Sequence, residues 1–289
     1  MKVLIFGAAG QLGKDLQRVL KKDFTLSPVT HDQCDITNDT ATQKFIAESK
    51  PDWVINCAAW TDVPGCEKDD QKAFAVNALG AKHIAAGCAK SKSKLIHIST
   101  DYVFDGRQNQ PYSETSLPRP VNVYGLSKLT GEHYIPMTHD QYFIVRTSGL
   151  YGIHPNRGKK TNFVETMLKL AKERDVVKVV DDEILTPTFT LNLAQQIKVL
   201  MGIDRYGIYH ATNNGSCSWY EFTRKIFEMA KINTRLEKTT VKEFASPVKR
   251  PAYSVLKNLN LQNLGIDFMK MWDAALEDYF SDKDNKLKL

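Results

Sequence analysis

The sequence predicts an α/β protein, a doubly wound parallel sheet carrying a smaller α/β lobe at its C-terminal side. Three observations lead there. Short apolar runs rich in branched residues alternate with helix-patterned segments through the first half of the chain. The connections between them are short, which favours parallel strands covered on both faces. Past about Gly152 the rhythm changes, yet no Ser/Gly-rich linker separates the halves. The expected division is therefore residues 1–152 and residues 153–289, the second part interleaved with elements that return to the main sheet.

Each element follows from its own pattern. Lys2–Phe6 is a branched apolar run ending at glycine, which reads as a buried parallel strand. From Gln11 onward Leu12, Leu16, Val19 and Leu20 recur at helical spacing. Residues 24–29 make the second strand, a polar helix follows around 41–49, and Asp52-Trp53-Val54-Ile55 is the third strand. An alanine-rich stretch predicts one long helix over 72–89, and residues 94–98 the fourth strand. Residues 123–134 read as a helix and 142–146 as the fifth strand. In the second half the pattern predicts helices over 162–173, 191–201 and 219–230, with strands at 176–180 and 207–210. Trp272, Ala275, Leu276, Tyr279 and Phe280 share one face of a last helix.

With 42% hydrophobic and 25% charged residues, the 289-residue chain has an ordinary globular composition, which excludes collagen-like, disordered and disulfide-scaffold readings. No apolar run approaches the roughly 18–20 residues that a membrane span needs. Met1-Lys2 and Val3–Phe6 are cut short by Gly7 to Gly13, with no cleavage pattern, so a cytoplasmic protein without membrane partners is expected. Five cysteines without C-x-x-C spacing read as reduced structural thiols. The net charge of +6 has its nearest concentrations at Arg157-Gly158-Lys159-Lys160 and Lys249-Arg250, with no aromatic stacking module beside either. That is a solvated mixed surface, or one attracting a small anionic substrate, rather than a nucleic-acid site.

Gly7-Ala8-Ala9-Gly10-Gln11-Leu12-Gly13 directly follows the first strand and opens the first helix. Glycines there let the backbone turn sharply and approach a pyrophosphate, and the helix N-terminus supplies N–H groups and positive potential. This makes the sheet Rossmann-type and residues 1–152 an NAD(P)-binding domain. The spacing, G-x-x-G-x-x-G, resembles the short-chain dehydrogenase/reductases. NAD sites generally carry an acid at the tip of the second strand. Here that place falls near Thr30-His31, with Asp32 just beyond, so NADPH is expected and NADH tolerated, His31 or Arg18 helping with a 2′-phosphate. Cys34-Asp35-Ile36-Thr37 reads either as an adenine-side segment or as a cap before the next helix.

Tyr124-Gly125-Leu126-Ser127-Lys128 sets a phenol and an ammonium four residues apart on one helix face. A nearby cation favours phenolate and so lowers a tyrosine pKa toward the range where a general acid works best. Upstream, the fourth strand runs into Ser99-Thr100-Asp101-Tyr102-Val103-Phe104-Asp105-Gly106. Active sites in open α/β sheets lie at such carboxyl ends, where the Thr100 hydroxyl can polarise a carbonyl.

The runs Ser99–Gly106 and Asn122–Glu132 resemble the extended short-chain dehydrogenase/reductases and, more closely, the dTDP-4-dehydrorhamnose reductase family. The likeness continues through Val145-Arg146-Thr147-Ser148, Leu185-Thr186-Pro187-Thr188, Ser216–Phe222 and Arg250-Pro251-Ala252-Tyr253-Ser254, nearly the whole chain. The resemblance implies hydride transfer to C4 of dTDP-4-dehydro-β-L-rhamnose, with Tyr124 protonating the alkoxide, Thr100 hydrogen-bonding it and Lys128 tuning Tyr124 and gripping the ribose. It implies that Gly10, Gln11 and Leu12 hold the pyrophosphate and that Asp35 and Ile36 meet the adenine; the turn and strand-tip readings add Gly7, Gly13, Thr30 and His31 to the cofactor site. Ala58, Ala59 and Thr61 line the cofactor path; Thr100, Asp101, Tyr102, Asn77, Gly149 and Arg250 border the substrate. The second half becomes a substrate-binding lobe.

Departures from the family pattern bear on the hexose. Where the family has tryptophan after Arg-Thr-Ser this chain has Gly149, leaving a roomier pocket or one filled by Trp60 or Tyr151. The family's Asp-Gln-x-Gly-x-Pro-Thr reads Asp182-Glu183-Ile184-Leu185-Thr186-Pro187-Thr188. Some members bind magnesium between subunits; Asp15, Asp182 and Glu183 are the nearest matches, and no metal is predicted. The alternatives are a reductase of another dTDP-4-keto-6-deoxyhexose, or a non-catalytic NADP-binding subunit resembling methionine adenosyltransferase subunit beta. A monomer or homodimer is expected.

Overall fold

The computed structural model describes residues 1–154 and 161–287 of the chain, so the basic run at 157–160 lies outside the described residues. In order, the first part is β1 (Lys2–Phe6), α1 (Gln11–Leu20), β2 (Thr25–Val29), α2 (Asp39–Ser49), β3 (Trp53–Asn56), α3 (Val63–Lys68), α4 (Asp70–Phe74), a π turn (Ala75–Leu79), α5 (Gly80–Ser91), β4 (Lys94–Thr100), a short 3-10 turn (Asp101–Val103), α6 (Val123–Tyr134) and β5 (Tyr142–Thr147). The second part is β6 (Leu150–Tyr151), α7 (Phe163–Glu173), β7 (Val176–Val180), β8 (Ile184–Leu185), β9 (Thr188–Phe189), α8 (Thr190–Leu200), β10 (Gly207–His210), β11 (Cys217–Ser218), α9 (Trp219–Met229), β12 (Arg235–Thr239), α10 (Val241–Phe244), α11 (Leu259–Asn263) and α12 (Trp272–Leu287).

Six strands form one sheet in the order β10-β5-β4-β3-β1-β2, and every neighbouring pair is parallel. The alternation of side chains along β1 explains the double winding. Val3 and Ile5 join a core with Leu12 and Leu16 of α1 and Leu193 and Ile197 of α8. Leu4 and Phe6 point the other way, into a core with Ile46 of α2 and Ile84 of α5. A strand buried on both faces must read as an unbroken apolar run, and β1 does.

The second part both extends the sheet and departs from it. β10 pairs with β5, Gly207 opposite Phe143, and α8 covers the same face as α1. The lobe has its own core, built from Val164 of α7, Val177 and Val179 of β7, Phe222 and Ile226 of α9 and Tyr279 of α12. Two strand pairs of two residues each, β6 with β9 and β8 with β11, form separate small sheets beside the main one.

Two local features differ from the expectation. The single helix over 72–89 is broken by the π turn at Ala75–Leu79, where Asn77 is held by partners across the fold. A wide turn of this kind is commonly found at functional sites and leaves no trace in an alanine-rich pattern. Residues 63–68 form α3, which begins with proline near its first position. No helix of the described residues is long and apolar enough to cross a membrane.

Candidate active site

The carboxyl ends of β1 to β5 open into a cleft of about 1150 Å³ that runs from the glycine turn to the lobe. Its floor at one end is the β1–α1 turn. Gly7 has φ +73°, and a Cβ there would come within 2.7 Å of the Cys57–Ala58 backbone. At Gly13 a Cβ would lie 2.5 Å from the Gly7 carbonyl, so both positions admit only glycine. Gly10 caps α1 without any side-chain hydrogen bond, leaving first-turn N–H groups of the helix directed at the cleft. The buried Gln11 Oε1 beside them has no hydrogen-bond partner in the protein. Such a turn fits the diphosphate of a dinucleotide, which would accept from the free N–H groups, while Gln11 Oε1 is left to accept from a hydroxyl donor.

Gly7, Gly10, Gln11, Leu12, Gly13, Thr30, His31, Asp35, Ile36, Ala58, Ala59 and Thr61 all line the cleft. His31 lies 3.9 Å from Asp35, and both are exposed at the tip of β2. Asp35 accepts the Thr37 N–H and hydroxyl at 2.9 Å each, and the Thr37 N–H in particular holds its carboxyl below the usual range. Arg18 does not reach this place. Its guanidinium is committed to Asp282 of α12 by two bonds of 2.6 and 2.7 Å, so its expected part at a 2′-phosphate is withdrawn.

At the middle of the cleft stand Thr100, Asp101, Tyr102, Tyr124 and Lys128. The Thr100 hydroxyl donates to Asp101 Oδ1 at 3.0 Å and accepts the Tyr102 N–H at 3.2 Å. Asp101 is buried; Ser148 donates to its other oxygen at 2.8 Å. Burial raises its pKa, opposed by hydrogen bonds from Ser254, Ser148 and Thr100. Tyr124 meets Tyr102 edge-on, ring centroids 5.8 Å apart. Its phenol is shifted upward, first by burial, with the Thr100 hydrogen bond working the other way.

That shift corrects an expectation. Lys128 does not lower Tyr124 in this structure, because its Nζ is turned to β4, donating to the Ile98 carbonyl at 2.6 Å with His97 Nε2 at 3.1 Å. Burial pulls Lys128 down to about 8, against the opposing charge of Glu132 one turn further along α6. Glu132 in turn pairs with Arg146 of β5 at 2.6 Å, both side chains almost fully buried, and accepts the Ser99 hydroxyl at 2.5 Å.

The substrate-side residues divide. Gly149 lines the cleft, but Asn77 and Arg250 do not. Asn77 is buried with its amide spent: Oδ1 accepts the Trp60 N–H at 2.8 Å, and Nδ2 donates to the Trp60 carbonyl and to Ser127. It shapes the Trp60 loop rather than the sugar pocket. Arg250 is near Glu183 and Tyr102, where its charge offsets the upward pull of burial on both. Tyr151, one candidate for the missing tryptophan, is buried in the lobe core against Phe189 and Phe222, whereas Trp60 does line the cleft. Asp15 accepts Thr190 at 2.5 Å, far from Asp182 at the Val241 N–H. No three His, Cys, Asp or Glu side chains gather into a metal-holding group among the described residues.

Residues 1–285 match the family described as RmlD substrate binding domain. The chain belongs to this family. It is 39% identical over 285 residues to the spore coat polysaccharide biosynthesis protein SpsK of Bacillus subtilis, with 98% of each chain covered. It is 35% identical over 280 residues to a dTDP-4-keto-6-deoxy-D-glucose reductase of Streptomyces niveus, with 96% of each covered. A solved dTDP-4-dehydrorhamnose reductase of Bacillus anthracis in complex with NADP superposes with a TM-score of 0.94 at 40% identity, covering 97% of this chain and 99% of that one.

Within this RmlD-family cleft, the lobe contributes two residues that the sequence reading did not single out as site residues. Leu185 of β8 and Trp219 at the start of α9 close the far end. The Trp219 indole stands by Glu183, whose carboxyl is raised chiefly by burial, and its ring lies 4.2 Å from that of Phe163. Both residues stand inside quoted family segments, but only the β8–β11 pairing brings them to the cleft.

Proposed function

We propose that this protein reduces the C4 ketone of dTDP-4-dehydro-β-L-rhamnose to dTDP-L-rhamnose with NADPH. The observation that supports it most is the meeting of Thr100, Tyr124 and Lys128 in the same cleft as the glycine turn, in a chain of this family. NADPH, held at the turn by the N–H groups of Gln11 and Leu12, would supply the hydride. The chain's own residues do the rest. Tyr124, its pKa raised by burial, holds its proton across the physiological range, and gives it up only to the stronger base that develops as the carbonyl becomes an alkoxide. The Thr100 hydroxyl turns its hydrogen from Asp101 to the substrate oxygen, while Asp101 keeps its bond from Ser148. Lys128 swings from Ile98 to the ribose hydroxyls and, as the ammonium, makes the phenol a better acid. Trp219 and Leu185 form an apolar wall suited to a 6-deoxy sugar.

NADPH is preferred over NADH because Thr30 and His31 stand where β2 ends, and the nearby carboxylate of Asp35 is engaged by Thr37. Gly149 favours a second reading, in which the same reaction is carried out on another dTDP-4-keto-6-deoxyhexose. A coupled assay separates the two: NADPH oxidation is followed with the ketone before and after 3,5-epimerisation, and the sugar products are identified. Turnover restricted to the epimerised ketone supports the rhamnose reading, and turnover restricted to the other ketone replaces it. Tyr124→Phe is expected to lower kcat by about 10²–10⁴-fold with NADPH binding retained; unchanged turnover refutes the assignment of the proton donor.

A further inference from the structure

The imidazole of His97, on β4, lies between two groups that both present protons. At the end of β3, Asn56 turns its amide so that Oδ1 accepts the Ala58 N–H at 3.0 Å. Its Nδ2 amino group is then left 3.0 Å from His97 Nδ1. On the opposite side Lys128 Nζ lies 3.1 Å from His97 Nε2 and 2.6 Å from the Ile98 carbonyl. All three side chains are about 1% exposed, so every mismatch of donor and acceptor falls on the protein itself. A neutral imidazole has one donor and one acceptor nitrogen. Burial holds His97 well below the usual imidazole range, and an imidazolium would set an Nδ1–H against the Asn56 amino group.

An amide amino group cannot accept a hydrogen bond. His97 Nδ1 is therefore the acceptor, and the ring hydrogen sits on Nε2, aimed at Lys128. That contact becomes a hydrogen bond only when Lys128 accepts it as the neutral amine, its own hydrogens serving the Ile98 carbonyl. We propose that His97 is a positioning residue that ties the protonation of Lys128 to the orientation of Asn56. While Asn56 holds the Ala58 loop, Lys128 is the uncharged amine. When Lys128 takes one proton from solvent, the ring hydrogen moves from Nε2 to Nδ1, and Asn56 turns its oxygen to that nitrogen, releasing Ala58. Ala58 and Lys128 both line the cleft, so the loop along the cofactor path and the lysine answer to one switch.

The groups facing Lys128 from other directions do not override this. Glu132, on the same helix, favours the ammonium but is itself neutralised by Arg146. Cys57, after β3, is pushed up to about 12 by burial and stays a thiol. Tyr124, one turn away, is likewise held protonated. Burial prevails over all of them, and the Lys128 transition falls to about 8.

The test reads the tautomer directly. In 15N-labelled protein without added nucleotide, long-range 1H–15N spectra report which ring nitrogen carries hydrogen, the His97 signals being assigned by their loss in His97→Gln. Above the Lys128 transition near 8, the Nε2–H form is expected, changing to Nδ1–H as the pH falls through it. The Nδ1–H form on both sides, or the Nε2–H form on both, overturns the proposal. Asn56→Asp offers an acceptor to Nδ1 while its other oxygen keeps Ala58. His97 is then expected to carry Nδ1–H throughout, and the alkaline limb of kcat/KM to move up by roughly one pH unit. A raised limb with the tautomer unchanged is the work of the added charge alone and overturns the proposal. The limb rests on the reductase reading, but the tautomer does not: a protein without turnover whose His97 switches as described refutes that reading and leaves the switch standing.

Discussion

The exchange of size between positions 149 and 185 can be tested as a double-mutant cycle. Gly149 leads into β6 with φ +55°, and a Cβ there would lie 2.8 Å from Leu185 Cδ1 and 3.2 Å from Pro187 Cα. Gly149→Ala therefore carries two costs. The left-handed backbone costs an L-residue about 1–2 kcal/mol, and the crowding of Leu185, itself buried, adds about 1–3 kcal/mol of overpacking. Leu185→Ala alone loses packing worth about 2–5 kcal/mol for a closed core, toward the lower end here because one side faces the cleft. In the double variant the backbone cost stays and the crowding goes, so the two changes should cost about 1–3 kcal/mol less than their sum. Urea unfolding of all four proteins, followed by circular dichroism, measures that difference. The same four proteins assayed for KM show whether Leu185 also shapes the sugar pocket. Costs that add to within about 0.5 kcal/mol refute the claim that the two side chains compete for one space.

Two further predictions concern groups beneath the cleft. Glu132→Gln leaves Arg146 buried without its carboxylate and should destabilise the protein by about 3–5 kcal/mol in the same unfolding assay. Since Glu132 raises the pKa of Lys128, its loss should also move the alkaline limb of the rate to lower pH: the ammonium, present below its pKa, is lost earlier as pH rises. An unmoved limb would detach Glu132 from the lysine. Asn77→Ala strips both backbone groups of Trp60 of their partners, a loss of about 1–3 kcal/mol. Because Trp60 and its neighbours line the cleft, NADPH binding, followed by fluorescence titration, should weaken by about tenfold. An unchanged Kd would make Asn77 purely structural.

What could be read from the sequence, and what could not, follows the range of the interactions involved. The sheet was legible because β1, β3 and β5 are buried on both faces and so are written as nearly continuous apolar runs. The glycine turn was legible for a local reason, since a positive φ at Gly7 and a close approach at Gly13 restrict the residue type where they occur. Interactions between distant segments were not. Arg18 looked available until Asp282, in the last helix, claimed it. Asn77 was singled out by the family resemblance, and its π turn and its partner Trp60 could not be seen in helical periodicity. Trp219 and Leu185 reach the cleft only through the two-residue β8–β11 pair.

Helix α6 shows how a local pattern can be legible and still incompletely understood. Tyr124, Lys128 and Glu132 recur at every fourth position, so they share one face, and the first two were read as a catalytic pair from that spacing. The third continues the row into the interior, where it ends on Arg146. Along it the setting changes from the half-buried Tyr124 at the cleft to a fully enclosed ion pair, with Lys128 between them. A lysine in that place is drawn toward the neutral amine by burial and toward the ammonium by Glu132. Neither neighbour alone decides its charge; the ring of His97, at right of way between β3 and α6, is the group whose hydrogen must move when that charge changes.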